Sequence, residues 1–180
     1  PNVVAIKVAP FDRYKTLDVV RAVADAGRSQ EIALYTGNDD NIVADLITDF
    51  PVSPDGAPLR FVGGLLGHWA VWAQPAVAML NSIQMERNAG NLDYAQWLQY
   101  GVAVTDANAA FFDPAHAFHG CIAGIHEVLR RQGLMQNHLC LNPQESLSPG
   151  QMAEIDRVYR AYPALHDDAF VAQHLDEWLR

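Results

Sequence analysis

The chain opens on a short apolar run, Asn2-Val3-Val4-Ala5-Ile6-Lys7-Val8-Ala9, broken by one lysine. Apolar residues that do not alternate with polar ones predict a strand covered on both faces, as in a parallel sheet. A loop from Ala9 to Lys15 follows, with Thr16 as the expected helix N-cap. Leu17, Val20, Val23 and Ala24 then share one helical face, and Gly27 is placed to end the helix in a left-handed turn. Glu31 to Thr36 reads as a second strand. Asp39 or Asp40 is positioned to cap a helix whose apolar stripe is Ile42, Val43, Leu46 and Ile47, and Pro51 prevents its continuation. A turn-rich loop around Pro54-Asp55-Gly56 leads to a third strand, Arg60 to Leu66. Strands alternating with helices at this spacing predict βαβ units and a parallel sheet.

Beyond His68 the period becomes helical. Ala70 to Gln84 forms one apolar helix, with Pro75 near its start or kinking it. Asp93 caps the next, which carries Tyr94, Trp97, Leu98 and Val102. Asp113-Pro114 reads as an N-cap followed by proline at the first helical position. Phe118, Cys121, Ile122, Ile125, Val128 and Leu129 keep the helical spacing up to Gly133. Ser148 to Gln151 reads as a capping box before a stripe of Met152, Ile155, Val158 and Tyr159. A last helix begins near Asp168, with Val171, Leu175 and Trp178 on one face. From Asp93 to Arg180 the expectation is helix and turn only.

Composition narrows the possibilities. Half of the 180 residues are hydrophobic, enough for a real core. A formal charge of −9 supplies no basic stripe for phosphates, which argues against nucleic-acid binding. No apolar run approaches the length of a membrane-spanning helix. Cys121 and Cys140 are too few for a disulfide framework, and a cytoplasmic setting is expected.

Lys7 is the residue with the most chemistry in it. A lysine within an apolar strand either snorkels or pairs with an acid, or burial keeps its amine neutral and nucleophilic. His68 follows the third strand, as a general acid or base or as a hydrogen-bonded structural residue. His116 and His119 are three apart, a metal-ligand spacing, but nothing nearby completes a ligand set and no metal is expected. Asp39-Asp40 fits a helix cap better than an acid pair. Trp69, Trp72, Trp97 and Tyr100 read as core or a subunit contact.

Val4-Ala5-Ile6-Lys7, followed by a loop and a helix, resembles the sixth strand of the dihydrodipicolinate synthase / N-acetylneuraminate lyase family. Leu34 to Asp40 resembles the seventh-strand motif ending in Gly-Asp-Asp. Phe61 to Leu66 stands where the eighth strand belongs. Glu127 to Leu134 and Leu147 to Pro149 resemble the family's C-terminal helices. The resemblance implies an α/β fold: the C-terminal part of a (β/α)8 TIM barrel, strands 6–8, at residues 1–88, then a helical region at 89–180. A complete barrel takes about 250 residues, so the barrel's N-terminal half is expected on the same or a separate chain. It would pair along Val3 to Val8, and a homo-oligomer is expected.

The resemblance also implies a class I aldolase-type lyase or synthase without a cofactor. Lys7 would form an imine with pyruvate or a related 2-oxo acid. Gly37, Gly63, Gly64 and Leu65 would line the pocket, with His68 beside it. Glycines at strand ends equally serve as simple bends. Two alternatives stand beside the enzyme: a non-catalytic, partner-binding fragment, and a metal-dependent barrel hydrolase using His68 with His116 or His119.

Overall fold

Three short parallel strands carry the N-terminal part of the chain. In the computed structural model, which describes residues 2–52, 56–65 and 69–180, β1 (Ala5–Val8), β2 (Ala33–Thr36) and β3 (Phe61–Gly64) lie in the order β1-β2-β3. Ala5 pairs with Ala33 and Lys7 with Tyr35; Tyr35 pairs in turn with Gly63, after a register shift between Leu34 and Tyr35. Between the strands lie α1 (Arg13–Asp25) and α2 (Ile42–Ile47). Then come α3 (Ala73–Ala89), α4 (Tyr94–Phe112), a 3-10 turn at Pro114–His116, α5 (Cys121–Arg131), α6 (Gln151–Ala161) and α7 (Asp168–Trp178).

This architecture corrects the barrel expectation. Among the described residues the chain holds one three-stranded parallel sheet and seven α-helices, and it is not strands 6–8 of a TIM barrel. The physical reason lies in β1. Only Val8 of its four residues is buried, and the apolar residues before it stand in water: Val3 is 50% exposed and Val4 71%. A strand covered on both faces would show neither. Composition marked the strand correctly, but a short apolar run does not reveal whether its second face is covered.

The chain divides into two compact units. The first takes Pro1–Leu66 and Leu80–Val102. Its core gathers Val8, Leu34 and Phe61 of the sheet with Val20 and Val23 of α1 and Ile42, Leu46 and Ile47 of α2, all buried. Phe50 and Leu59 form an antiparallel bridge, and the Phe50 ring meets Phe61 edge-on at 5.6 Å. The second unit takes Gly67–Met79 and Ala103–Arg180 and, among the described residues, holds helices and irregular turns but no strand, as its apolar spacing predicts; residues 132–150 form no helix. Trp72 is its central ring, edge-on to Phe111 at 4.7 Å and to Tyr159 at 5.0 Å. The boundary expected at 88/89 falls at the end of α3; α3 and α4 each contribute to both units.

Several caps differ from expectation. Asp12, not Thr16, caps α1, accepting from the N–H groups of Tyr14 and Lys15. Thr16 sits inside the first turn and donates its hydroxyl to the Asp12 carbonyl at 2.9 Å. Gly27 does take the left-handed turn, φ 66°. Asn41 stands at the N-terminus of α2 without a side-chain cap bond, so neither Asp39 nor Asp40 has the capping role. Asp113 is itself left-handed, φ 56°, and precedes a 3-10 turn rather than α5. His116 ends that turn and His119 follows it, so the two do not share an α-helical face.

The Ser148 box closes in half. Gln151 Oε1 accepts from the Ser148 N–H at 3.0 Å, as a capping box requires, but the Ser148 hydroxyl donates to Asp113 at 2.6 Å. Gln151 Nε2 meanwhile donates to the carbonyls of Ala110, Phe111 and Gly120. One buried amide thereby satisfies carbonyls that the end of α4 leaves open. The glycines beside it are steric necessities: a methyl at Gly124 would lie 2.2 Å from the Phe111 carbonyl oxygen.

Candidate functional site

Chemistry in a parallel sheet collects at the carboxyl ends of its strands, where the loops leave the sheet. Here those ends are fastened to one another. The Gly37 N–H donates to the Val8 carbonyl at 2.8 Å, and the Leu65 N–H to the Thr36 carbonyl at 3.0 Å. The loop after β1 is tied to the loop after β2 by the Phe11 N–H, which donates to Asn38 Oδ1 at 3.1 Å. Phe11 holds a left-handed backbone, φ 50°. A non-glycine residue there is uncommon and is retained where its surroundings fix it.

Asp45 is the hub beneath these loops. It is fully buried in α2 and accepts from Thr36 Oγ1 at 2.6 Å, Asn38 Nδ2 at 3.0 Å, Asn41 Nδ2 at 3.3 Å and the Arg13 guanidinium. Asn38 Nδ2 also reaches Thr16 Oγ1 at 3.2 Å. A buried carboxylate is tolerated when its acceptor sites are filled in this way. Sequence reasoning passed over this network, although a signal was present: Asp45 is the lone acid inside the otherwise apolar run Ile42 to Ile47.

Asp39 is different in kind. It is 7% exposed, and burial first, then the charge of Asp40, pushes its carboxyl up to about 6. A carboxyl in that range exchanges protons near neutral pH, as an acid–base group must.

The expected site residues fall into two groups. Lys7, Tyr35 and Gly63 are register partners across the three strands and so share one face of the sheet. Lys7 is exposed on it, which removes the expected burial among Val4, Ile6 and Val8. The Tyr35 ring lies against Gly63: a methyl there would sit 2.4 Å from Tyr35 Cε2. The close approach that Gly63 allows is thus first to a tyrosine of its own sheet. Gly37, Gly64 and Leu65 belong to the carboxyl edge, where Gly64 pairs with Thr36. His68 lies outside the described residues. Among the described residues no three His, Cys, Asp or Glu side chains group as a metal site, and His116 Nδ1 is bonded to Asp113 Oδ1 at 2.6 Å. Nor is any helix among them long and apolar enough to cross a membrane.

Comparison of the chain with protein-family models, with curated proteins and with solved structures finds no match.

Proposed function

We propose that this chain supplies the lysine strand of a class I aldolase-type lyase or synthase acting on pyruvate or a related 2-oxo acid. Lys7 Nζ attacks the ketone carbon, water leaves, and the resulting imine draws electrons from the adjacent carbon, where a carbon–carbon bond is made or broken. The observation that carries the reading is the shared sheet face. Lys7, Tyr35 and Gly63 stand side by side across three strands, next to the carboxyl edge that holds Gly37, Gly64 and Asp39. The resemblance of Val4 to Lys7 to the family's lysine strand supports the choice of lysine, not the barrel around it.

An exposed amine needs a covered site to do this chemistry, so the proposal includes a second chain, a further copy of this one or another, packed over the open face and along β1. The free edge of β1 and the exposed Val3 and Val4 favour such packing. They equally favour a second reading, in which that face binds a partner without catalysis. A cytoplasmic setting belongs to the proposal; Cys121 and Cys140 form no disulfide among the described residues.

The test is borohydride reduction in the presence of pyruvate, on the chain alone and with co-purifying partners, followed by peptide mapping. A reduced adduct on Lys7 supports the enzyme. A stable complex that never yields an adduct supports the partner-binding reading.

A further inference from the structure

The helical unit holds a cavity of about 440 Å³ that the proposed chemistry does not use. It opens between the start of α3, the end of α5 and α7. Three aromatic rings, Trp72, Phe170 and Trp178, and aliphatic side chains including Val77, Leu129 and Val171 form its walls. Volumes of this size hold small-molecule ligands, and such sites are apolar with a few placed polar groups.

The polar groups here are Gln74, Gln132 and Asp167. Asp167 is buried, and both its oxygens accept: Oδ1 from Gln132 Nε2 at 2.7 Å, Oδ2 from the Gln74 N–H at 3.1 Å. Each of its oxygens thus has a donor from within the fold. Both donors are uncharged, and no lysine, arginine or histidine is among the described residues that line the cavity. The cavity therefore joins a buried acid to aromatic and aliphatic walls; Gln132 Nε2 also donates to Asp168 Oδ1 at 2.9 Å, and the nearest titratable bases, His166 and His174, pack behind the walls, against Trp72 and against Phe170 and Trp178.

We propose that this cavity binds an apolar monoamine. The ammonium would lie at the Asp167 end, where a carboxylate has further lone pairs and the bond is charge-assisted. The hydrocarbon part would lie among Trp72, Phe170 and Val77, and the aromatic faces favour the cation as well. An acid of the same shape would bring its charge against Asp167. The inference is independent of Lys7 and of the sheet.

The experiment is calorimetric titration of the full chain with phenylpropylamine and, in parallel, phenylpropionate. The amine should bind saturably, and the acid at least about tenfold more weakly. Val77 stands half-exposed at the rim, so Val77→Trp should fill the opening and weaken the amine by about tenfold with an unchanged melting temperature. Asp167→Asn, which keeps an acceptor for Gln74, should erase the preference for amine over acid. Absence of saturable amine binding, equal binding of the acid, or wild-type amine affinity in Val77→Trp would each overturn the proposal.

Discussion

The sheet unit and the helical unit use their buried polar side chains in opposite settings. In the helical unit Gln151, Asp113 and Ser148 lock helix ends to one another inside a closed core. In the sheet unit Asp45 and its partners lie directly under the loops at the strands' carboxyl ends, while the Lys7 face of the sheet is left open. One network ties helix ends together; the other ties together the loops beside the open face, where the proposed chemistry would take place. The comparison teaches that buried polarity alone does not mark a site. Its position relative to an open face does.

The largest effects are expected from breaking either hub. Gln151→Ala strands three carbonyls and the Ser148 N–H, and should cost about 3 kcal/mol of stability. Asp45→Ala leaves Thr36 without its acceptor, takes from Asn38 one of its two and leaves Arg13 without its partner, and should cost about as much. The two should differ in reach: by hydrogen exchange, Asp45→Ala should loosen residues 9–12 and 37–41, whereas Gln151→Ala should loosen the end of α4 and the turn before α5. Equal loosening of both regions by either variant would erase the distinction.

Next comes Glu127. The Arg130 guanidinium, helped by Arg131, holds its carboxyl down at about 2 against the opposing pull of burial. The folded value lies below the unfolded one, so this contribution is present above about pH 4.5 and is lost as pH falls towards 2. With Arg130 partly in water, about 2 kcal/mol is expected. Glu127→Gln should remove that part of the acid sensitivity, measured by urea unfolding across the acid range.

Asp39 should behave in the opposite sense. Its folded value is raised to about 6, so its charge opposes folding, and stability should fall as pH rises from about 4 to 6. Asp39→Asn should add up to about 2 kcal/mol at neutral pH and flatten that window. Unchanged neutral stability in the variant would mean that Asp39 is not held in a desolvated setting.

The smallest stability effect belongs to Lys7. It is exposed on an edge strand, so Lys7→Ala should change stability by no more than about 0.5 kcal/mol.

How legible the molecule was differs between the two units for one reason. In the second unit Val128, Ile155, Val158 and Val171 are buried where the helical spacing places them, whereas Ile122, Met152 and Trp178 of the same expected stripes are exposed. The strands were equally plain as strands, yet whether their second face is covered depends on what lies across it, and no residue within a four-residue strand encodes that. Hence β1 read as doubly buried and was not, and the barrel expectation failed with it. The carboxyl edge was legible through Gly37 and Gly64, whereas the Asp45 hub was hidden because Arg13 lies 32 residues away and nothing in the sequence shows that the strand and loop carrying Thr36 and Asn38 turn back onto α2. Asp12 displaced Thr16 as a cap because both residues suit that role and only the loop's path decides between them.

Lys7 and Lys15 are the only two lysines in the chain, which makes the proposed chemistry unusually direct to read. Lys15 is exposed as well and lies 3.9 Å from Asp12, so it serves as an internal control for unselective reductive labelling. The decisive measurement is the ratio of pyruvate adduct on the two lysines after borohydride reduction, made on wild type and on Lys7→Arg. The proposal predicts labelling of Lys7 in large excess over Lys15 in the wild type and none at position 7 in the variant, because a guanidinium stays protonated and does not attack. Equal labelling of the two lysines, or an adduct on Lys15 alone, would contradict it.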